Sequence, residues 1–167
     1  MRFGGRKPYT LEEAQRRMEG YCAYRERCHQ EVVSKLRSMA MIPEAVDTIV
    51  VHLIESGFLN EERFARAFAK GKLHQKGWGM SRIRRELKQR EITDYLIDKA
   101  LEEIEPEDYT GVFNTLARKR WEQLAGESDR QKKLRKFSDY LIYRGWEFDR
   151  ILEKARELQK DPSSEGT

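Results

Sequence analysis

Five apolar positions recur three times along this chain with one spacing. Ile83, Leu87, Ile92, Ile97 and Leu101 are matched 51 residues upstream by Val32, Leu36, Met41, Val46 and Val50. They are matched 54 residues downstream by Phe137, Leu141, Trp146, Ile151 and Ala155. The gaps are four, five, five and four residues. A gap of four is one helical turn, and the two gaps of five fit a bend joining two helices. Self-similarity at a fixed period marks a repeat architecture, which constrains the fold more than any single motif.

Each copy has a further helical stripe upstream. It runs through Leu11, Ala14, Met18, Tyr21 and Cys22 in the first copy, and Phe64, Ala67, Phe68 and Gly71 in the second. In the third it runs through Phe113, Leu116, Ala117, Trp121 and Leu124. Spacings of three and four give each helix one apolar face. The expected fold is therefore all-α: three tandem three-helix repeats, roughly 10–57, 58–105 and 106–160, in an elongated, slightly curved array. Residues 1–9 (a basic tail) and 161–167 are expected to be disordered, and flexing between units is expected because contacts are local.

Capping chemistry supports these boundaries. Thr10 with Glu13 reads as a capping box, and Ser128 with Gln131 repeats the pattern. Asn60 and Thr93 are suited to N-caps. Pro43 and Pro106 suit a first helical position, and Gly57, Gly126 and Gly145 suit positions just past a helix end. The β-branched run 49–54 resembles a strand, but its counterparts in the other copies are helical, so the repeat register overrules it.

Of the 167 residues, 37% are charged and 38% hydrophobic, enough for several small cores but not one large one. Net charge is +4, and the charge is placed rather than spread. Residues 60–90 carry ten Lys/Arg against three Asp/Glu; residues 91–108 carry one Lys against eight acids; residues 114–136 return to +5. Such alternation predicts basic helices lining one side of the array, a strip suited to a polyanion or an acidic groove; the competing reading is solvated, ion-paired faces, with the acidic helix neutralising the basic helix of a neighbouring unit. Arg82, Arg84, Arg85 and Lys88 follow Trp78, which sits between Gly77 and Gly79. Arginines near an aromatic can hold phosphates and stack on bases; the competing reading is that Trp78 plugs the gap between helices.

No apolar run approaches the roughly 18 residues a membrane helix needs. Residues 1–8 are basic with no apolar run behind them, so no signal peptide is expected. Cys22 and Cys28 read as reduced thiols of a cytoplasmic protein. With His29 they lack a fourth zinc ligand at a familiar spacing. His52 lies on an apolar helix and reads as a packed residue. Phosphate-loop, dinucleotide, zinc-protease and hydrolase motifs are absent from the sequence, so no enzyme, metal or cofactor is expected.

Three stretches carry a family resemblance: GFLNEERFARAF with QKGWGMSRIRREL, YLIYRGWEFDRILEKA, and YRERCHQEVVSKL. Together they resemble the RecX family of bacterial recombination regulators, over roughly residues 14–158. The matching motif positions are Phe58, Leu59, Arg63, Phe64, Ala65, Gly77, Trp78, Gly79, Ile83, Glu86, Leu87, Arg144 and Gly145. One departure is Arg90-Glu91, where the family usually has Lys-Gly; without glycine this turn must avoid positive φ or accept strain.

The resemblance implies a non-enzymatic, cytoplasmic protein of the SOS response, DNA repair and homologous recombination. It would lodge in the groove of the RecA filament on DNA and hinder ATP hydrolysis, strand exchange and filament growth. Single- and double-stranded DNA would be weak, non-specific partners, and a monomer is expected. The expected contact set is Arg63, Arg66, Lys70, Lys72, Lys76, Trp78, Arg82, Arg84, Arg85 and Lys88, with Arg118, Lys119, Arg120, Lys132, Lys133, Arg135 and Lys136 from the third unit. Two other readings stay open: a helical DNA-binding protein acting without recombinase, and a helical adaptor for an acidic protein.

Overall fold

The computed structural model describes residues 7–161, and nine α-helices and no strand lie among the described residues. Most of the two tails expected to be disordered falls outside that range. α1 (Leu11–Tyr24), α2 (His29–Ser38) and α3 (Pro43–Glu55) form the first set. The second is α4 (Glu61–Gly71), α5 (Met80–Gln89) and α6 (Asp94–Glu102), and the third is α7 (Pro106–Gln123), α8 (Arg130–Tyr143) and α9 (Phe148–Lys160). A π-helical turn, Lys72–Lys76, extends α4 without a break. Within each set every helix packs on the other two.

The repeated positions are the core. Every one is buried except Met41 and Val50, which are half-buried. The run 49–54 is helical, as its register requires. Val46, Ile49 and Leu53 face inward from α3, while Val51 and Ile54 face solvent. Burying a Val, Ile or Leu is worth about 1.5–3 kcal/mol, against a helix-propensity cost below about 1 kcal/mol for a β-branched residue. Packing therefore decides the conformation.

The bend between the second and third helices is built alike in all three units. The amides of Met41, Ile92 and Trp146 donate to the carbonyls of Leu36, Leu87 and Leu141, each at 3.1 Å. The residue before each bend amide is left-handed: Ala40 and Glu91 at φ 60°, Gly145 at φ 90°. This is a Schellman-type helix end. Glu91 thus accepts the strain, which for an L-residue is about 1–2 kcal/mol.

The helix starts follow the expected caps with one correction. Thr10 and Glu13 exchange two 3.1 Å bonds, Asn60 accepts from the Arg63 amide at 2.9 Å, and Thr93 accepts from the Leu96 amide at 3.4 Å. At α8 the cap is Asp129, not Ser128: its Oδ1 accepts from the amides of Gln131 and Lys132. A carboxylate one residue closer to the helix outcompetes the hydroxyl, because its charge also meets the positive helix end. Gly126 lies in the turn after α7, but it is not among the described residues with positive φ.

The hydrophobic interior divides unevenly. The first unit has its own cluster around Met18, Leu36, Ile49 and Leu53. The second and third units share one continuous cluster, from Phe64 and Ile83 through Phe113 and Trp146 to Leu158. The junction of units two and three is thus packed core, contrary to the expectation of flexing at every joint. The junction of units one and two is mainly polar. Arg63 of α4 donates to Glu26 and to the carbonyls of Gly57 and Phe58. Gln30 donates to the Gln89 carbonyl, and His29 lies 3.5 Å from Glu61. The apolar links across it are Cys28, buried in the cluster of the second unit, and Phe58 and Leu59, which pack with the cluster of the first.

Candidate functional site

The Gly77-Trp78-Gly79 loop is the joint between units two and three. The π-turn ends at Gly77, whose left-handed φ of 66° reverses the chain. Its carbonyl accepts from the Trp146 indole N–H at 2.9 Å. The Gly79 amide donates to the Arg144 carbonyl at 2.8 Å, and the Ser81 amide to the Gly145 carbonyl at 3.2 Å. Tyr109 closes the joint: its hydroxyl accepts from the Met80 amide at 2.9 Å and donates to Glu147 at 2.7 Å. Burial raises the Tyr109 pKa, so this hydroxyl keeps its proton.

Trp78 is half-buried and packs on the shared core. Its ring centroid lies 6.2 Å from that of Phe68, with the Lys72 ammonium 5.2 Å from the Trp78 centroid. The Arg82 guanidinium is layered between Trp78 at 4.2 Å and Tyr143 at 4.6 Å, and it donates to the Tyr143 carbonyl. Arg82 and Trp78 therefore serve the joint itself. Burial lowers the pKa of Lys72, and nearby Lys76 acts in the same direction.

The acidic helix α6 engages the basic helices of its own unit. Arg66 pairs with Glu62 and Glu103, Arg84 with Asp98, Lys88 with Asp94, and Lys99 with Glu62. In the third unit, Lys136 pairs with Glu127 and Arg118 approaches Asp161 at 3.9 Å. Lys133 sits 4.1 Å from the Trp121 ring centroid. Among the expected contact residues, Lys70, Lys76, Arg85, Lys119, Lys132 and Arg135 are exposed and make no ion pair with another described residue.

Lys76 and Lys119 meet at one place. A cleft of about 660 Å³ opens between the π-turn and α7–α8, at the joint of units two and three. His74, Gln75, Lys76 and Gly77 form one wall; Val112, Thr115, Leu116 and Lys119 of α7 form another; Tyr140 of α8 and Arg144, which caps its C-terminal end, complete it. Two guanidinium groups lie close to the Tyr140 ring, Arg144 at 3.7 Å and Arg120 at 4.7 Å from its centroid. Glu107 and Asp108 line the far end, where Asp108 Oδ2 lies 2.9 Å from His74 Nε2. Tyr140 was missed from sequence, and Arg144 was read as a motif residue only. Their separation of four at one helix end, with a cation and an aromatic, is the signal that was available.

The histidines all contact carboxylates. His52, expected to be simply packed, lies 3.1 Å from Glu19 and is half-buried. Burial raises the pKa of both Cys22 and Cys28, which favours their thiol forms. No helix among the described residues is long and apolar enough to cross a membrane.

Known proteins share this organisation. "Regulatory protein RecX" of Halorhodospira halophila is 32% identical over 140 residues, covering 83% of this chain and 84% of that one. The chain belongs to the RecX family. A family model described as "RecX, second three-helix domain" matches residues 60–101, the span of α4 to α6 of this RecX chain. The crystal structure of RecX from Lactobacillus salivarius superposes with a TM-score of 0.74 at 22% identity, over 89% of this chain and 96% of that one. A second crystal structure, of a regulatory protein RecX, gives 0.77 at 22% identity over 88% and 73%. At that identity the superpositions speak for the shared fold. The family is one of regulatory proteins, and the helical repeat read from spacing is its architecture.

Proposed function

We propose that this protein is a non-enzymatic regulator that binds the RecA recombinase filament on DNA, mainly to inhibit it. It lodges along the filament groove, lowers ATP turnover and strand exchange, and limits filament growth. DNA inside the filament is a weak, non-specific second partner, and the protein works as a cytoplasmic monomer. The observation that carries this reading is the family membership of the chain, whose full three-unit array is preserved. A packed body of units two and three, with the first unit on a mainly polar joint, suits a repetitive, helical partner, because several weak contacts add through avidity.

The structure narrows the contact set to test. Arg63 and Arg82 hold joints, while Arg66, Arg84 and Lys88 are engaged with α6. We therefore assign most of the contact to Lys70, Lys76, Arg85, Lys119, Lys132 and Arg135. Co-sedimentation with recombinase filaments tests the proposal, with nuclease-treated samples in parallel. Binding that requires both recombinase and DNA supports it. Binding to naked DNA that ignores recombinase would favour a DNA-binding protein instead, and recombinase binding indifferent to nuclease would favour an adaptor.

A further inference from the structure

We infer that the cleft between the π-turn and α7–α8 is a subsite for single-stranded nucleic acid, holding phosphates on Lys76 and Lys119 and a base on Arg144. This deepens the filament proposal by giving its DNA contact a location. Lys76, Lys119 and Arg144 line one cleft, and none of the three has a carboxylate partner among the described residues. Most basic residues of the second unit, by contrast, are paired with a carboxylate. Like charges left unpaired at one site repel one another, and a phosphodiester relieves that cost.

The site is preorganised. The Arg144 carbonyl accepts from Gly79 and the Gly77 carbonyl from Trp146, so both walls are tied across the joint. The Arg144 guanidinium lies against Tyr140 and donates to the Tyr140 carbonyl at 3.4 Å. Arg144 is half-buried and lines the cleft, so its guanidinium is within reach of a strand bound there. A guanidinium plane is a sequence-tolerant platform for an unpaired base. Val112 and Leu116 supply an apolar floor, and the cleft follows α7 from Asp108 to Lys119, about 17 Å at helical rise. Glu107 and the Asp108–His74 pair make the far end unfavourable to phosphate, so the strand occupies the Lys119 end.

A duplex keeps its bases stacked and offers none to Arg144, which selects the single strand. The test is fluorescence anisotropy of labelled oligothymidine with the isolated full chain, without recombinase. Lys76→Ala/Lys119→Ala is expected to reduce the slope of log affinity against log salt by roughly 1.4, two phosphates at about 0.7 each. Arg16→Ala/Arg156→Ala, two exposed cations elsewhere, is the control and keeps the wild-type slope. Arg144→Lys keeps the charge but loses the plane, so it erases a preference for oligothymidine over an abasic strand. Circular dichroism confirms that each variant is folded.

Equal losses in the cleft and control pairs would overturn the site. So would base preference surviving in Arg144→Lys, or equal affinity for duplex and single strand. Wild-type protein that inhibits recombinase without binding oligothymidine overturns this inference and leaves the filament proposal standing. Cleft-dependent oligothymidine binding without recombinase inhibition overturns the filament proposal alone.

Discussion

Gly79 and Gly145 touch backbone to backbone: a Cβ on Gly79 would sit 2.4 Å from the Gly145 carbonyl oxygen. The reverse holds on the other side, where a Cβ on Gly145 would sit 2.4 Å from the Arg82 amide nitrogen and from the Arg82 Cβ. The obstructing atoms are mostly backbone, so no side chain can swing aside. This pair sets how closely units two and three approach, and with it the shape of the cleft.

Gly79→Ala is expected to destabilise the protein by about 2–4 kcal/mol, since the clash forces the joint apart or strains its backbone. Gly57→Ala is the comparison. It has positive φ but open space around it, so only the conformational cost of about 1–2 kcal/mol applies. Urea unfolding followed by tryptophan fluorescence distinguishes the two.

Glu91→Gly should stabilise the protein by about 0.5–1 kcal/mol. The relief of left-handed strain exceeds the extra chain entropy that glycine brings to the unfolded state. Ala40→Gly, at the equivalent bend of the first unit, should behave the same way. A shift of the urea midpoint without a change in slope would check both.

Tyr109→Phe removes the acceptor of the Met80 amide and the donor to Glu147 at a buried position. The cost is expected to be about 1–3 kcal/mol, the range for leaving a buried donor unsatisfied. Hydrogen exchange should show the Met80 amide losing protection while amides of the first unit are unaffected.

The 3.1 Å contact of Lys99 with Glu62 sets a pH dependence. Lys99 holds the Glu62 carboxyl below its ordinary 4.5, chiefly through this hydrogen bond, and Lys99 itself is raised above 10.5 by the same contact. The stabilisation is complete between these limits. It is lost as pH falls through the folded value of Glu62, and as pH rises through that of Lys99. Lys99→Met should therefore make stability fall less steeply below about pH 4.5. An acid limb identical to wild type would count against the contact.

Much of this architecture was legible because core positions obey a spacing that survives changes of side chain. Val32, Ile83 and Phe137 differ in volume but share one place in the repeat. The α8 cap was displaced by one residue because adjacent Ser128 and Asp129 both satisfy a capping pattern, and only geometry ranks them. The cleft was not legible as a unit. Lys76 and Lys119 are 43 residues apart in sequence, and what unites them is the Gly79–Gly145 contact, which no periodicity encodes. Likewise, counting charge found the basic block and an acidic helix able to neutralise a neighbouring unit, but could not see that α6 folds back on the basic helices of its own unit.

The most direct test of the central claim is the ATPase rate of recombinase on single-stranded DNA, with this protein titrated at sub-stoichiometric ratios. The account predicts that turnover falls well below one protein per recombinase subunit, and that Arg85→Glu/Lys132→Glu/Arg135→Glu, folded, inhibits far less. Turnover that stays constant across the titration would contradict it.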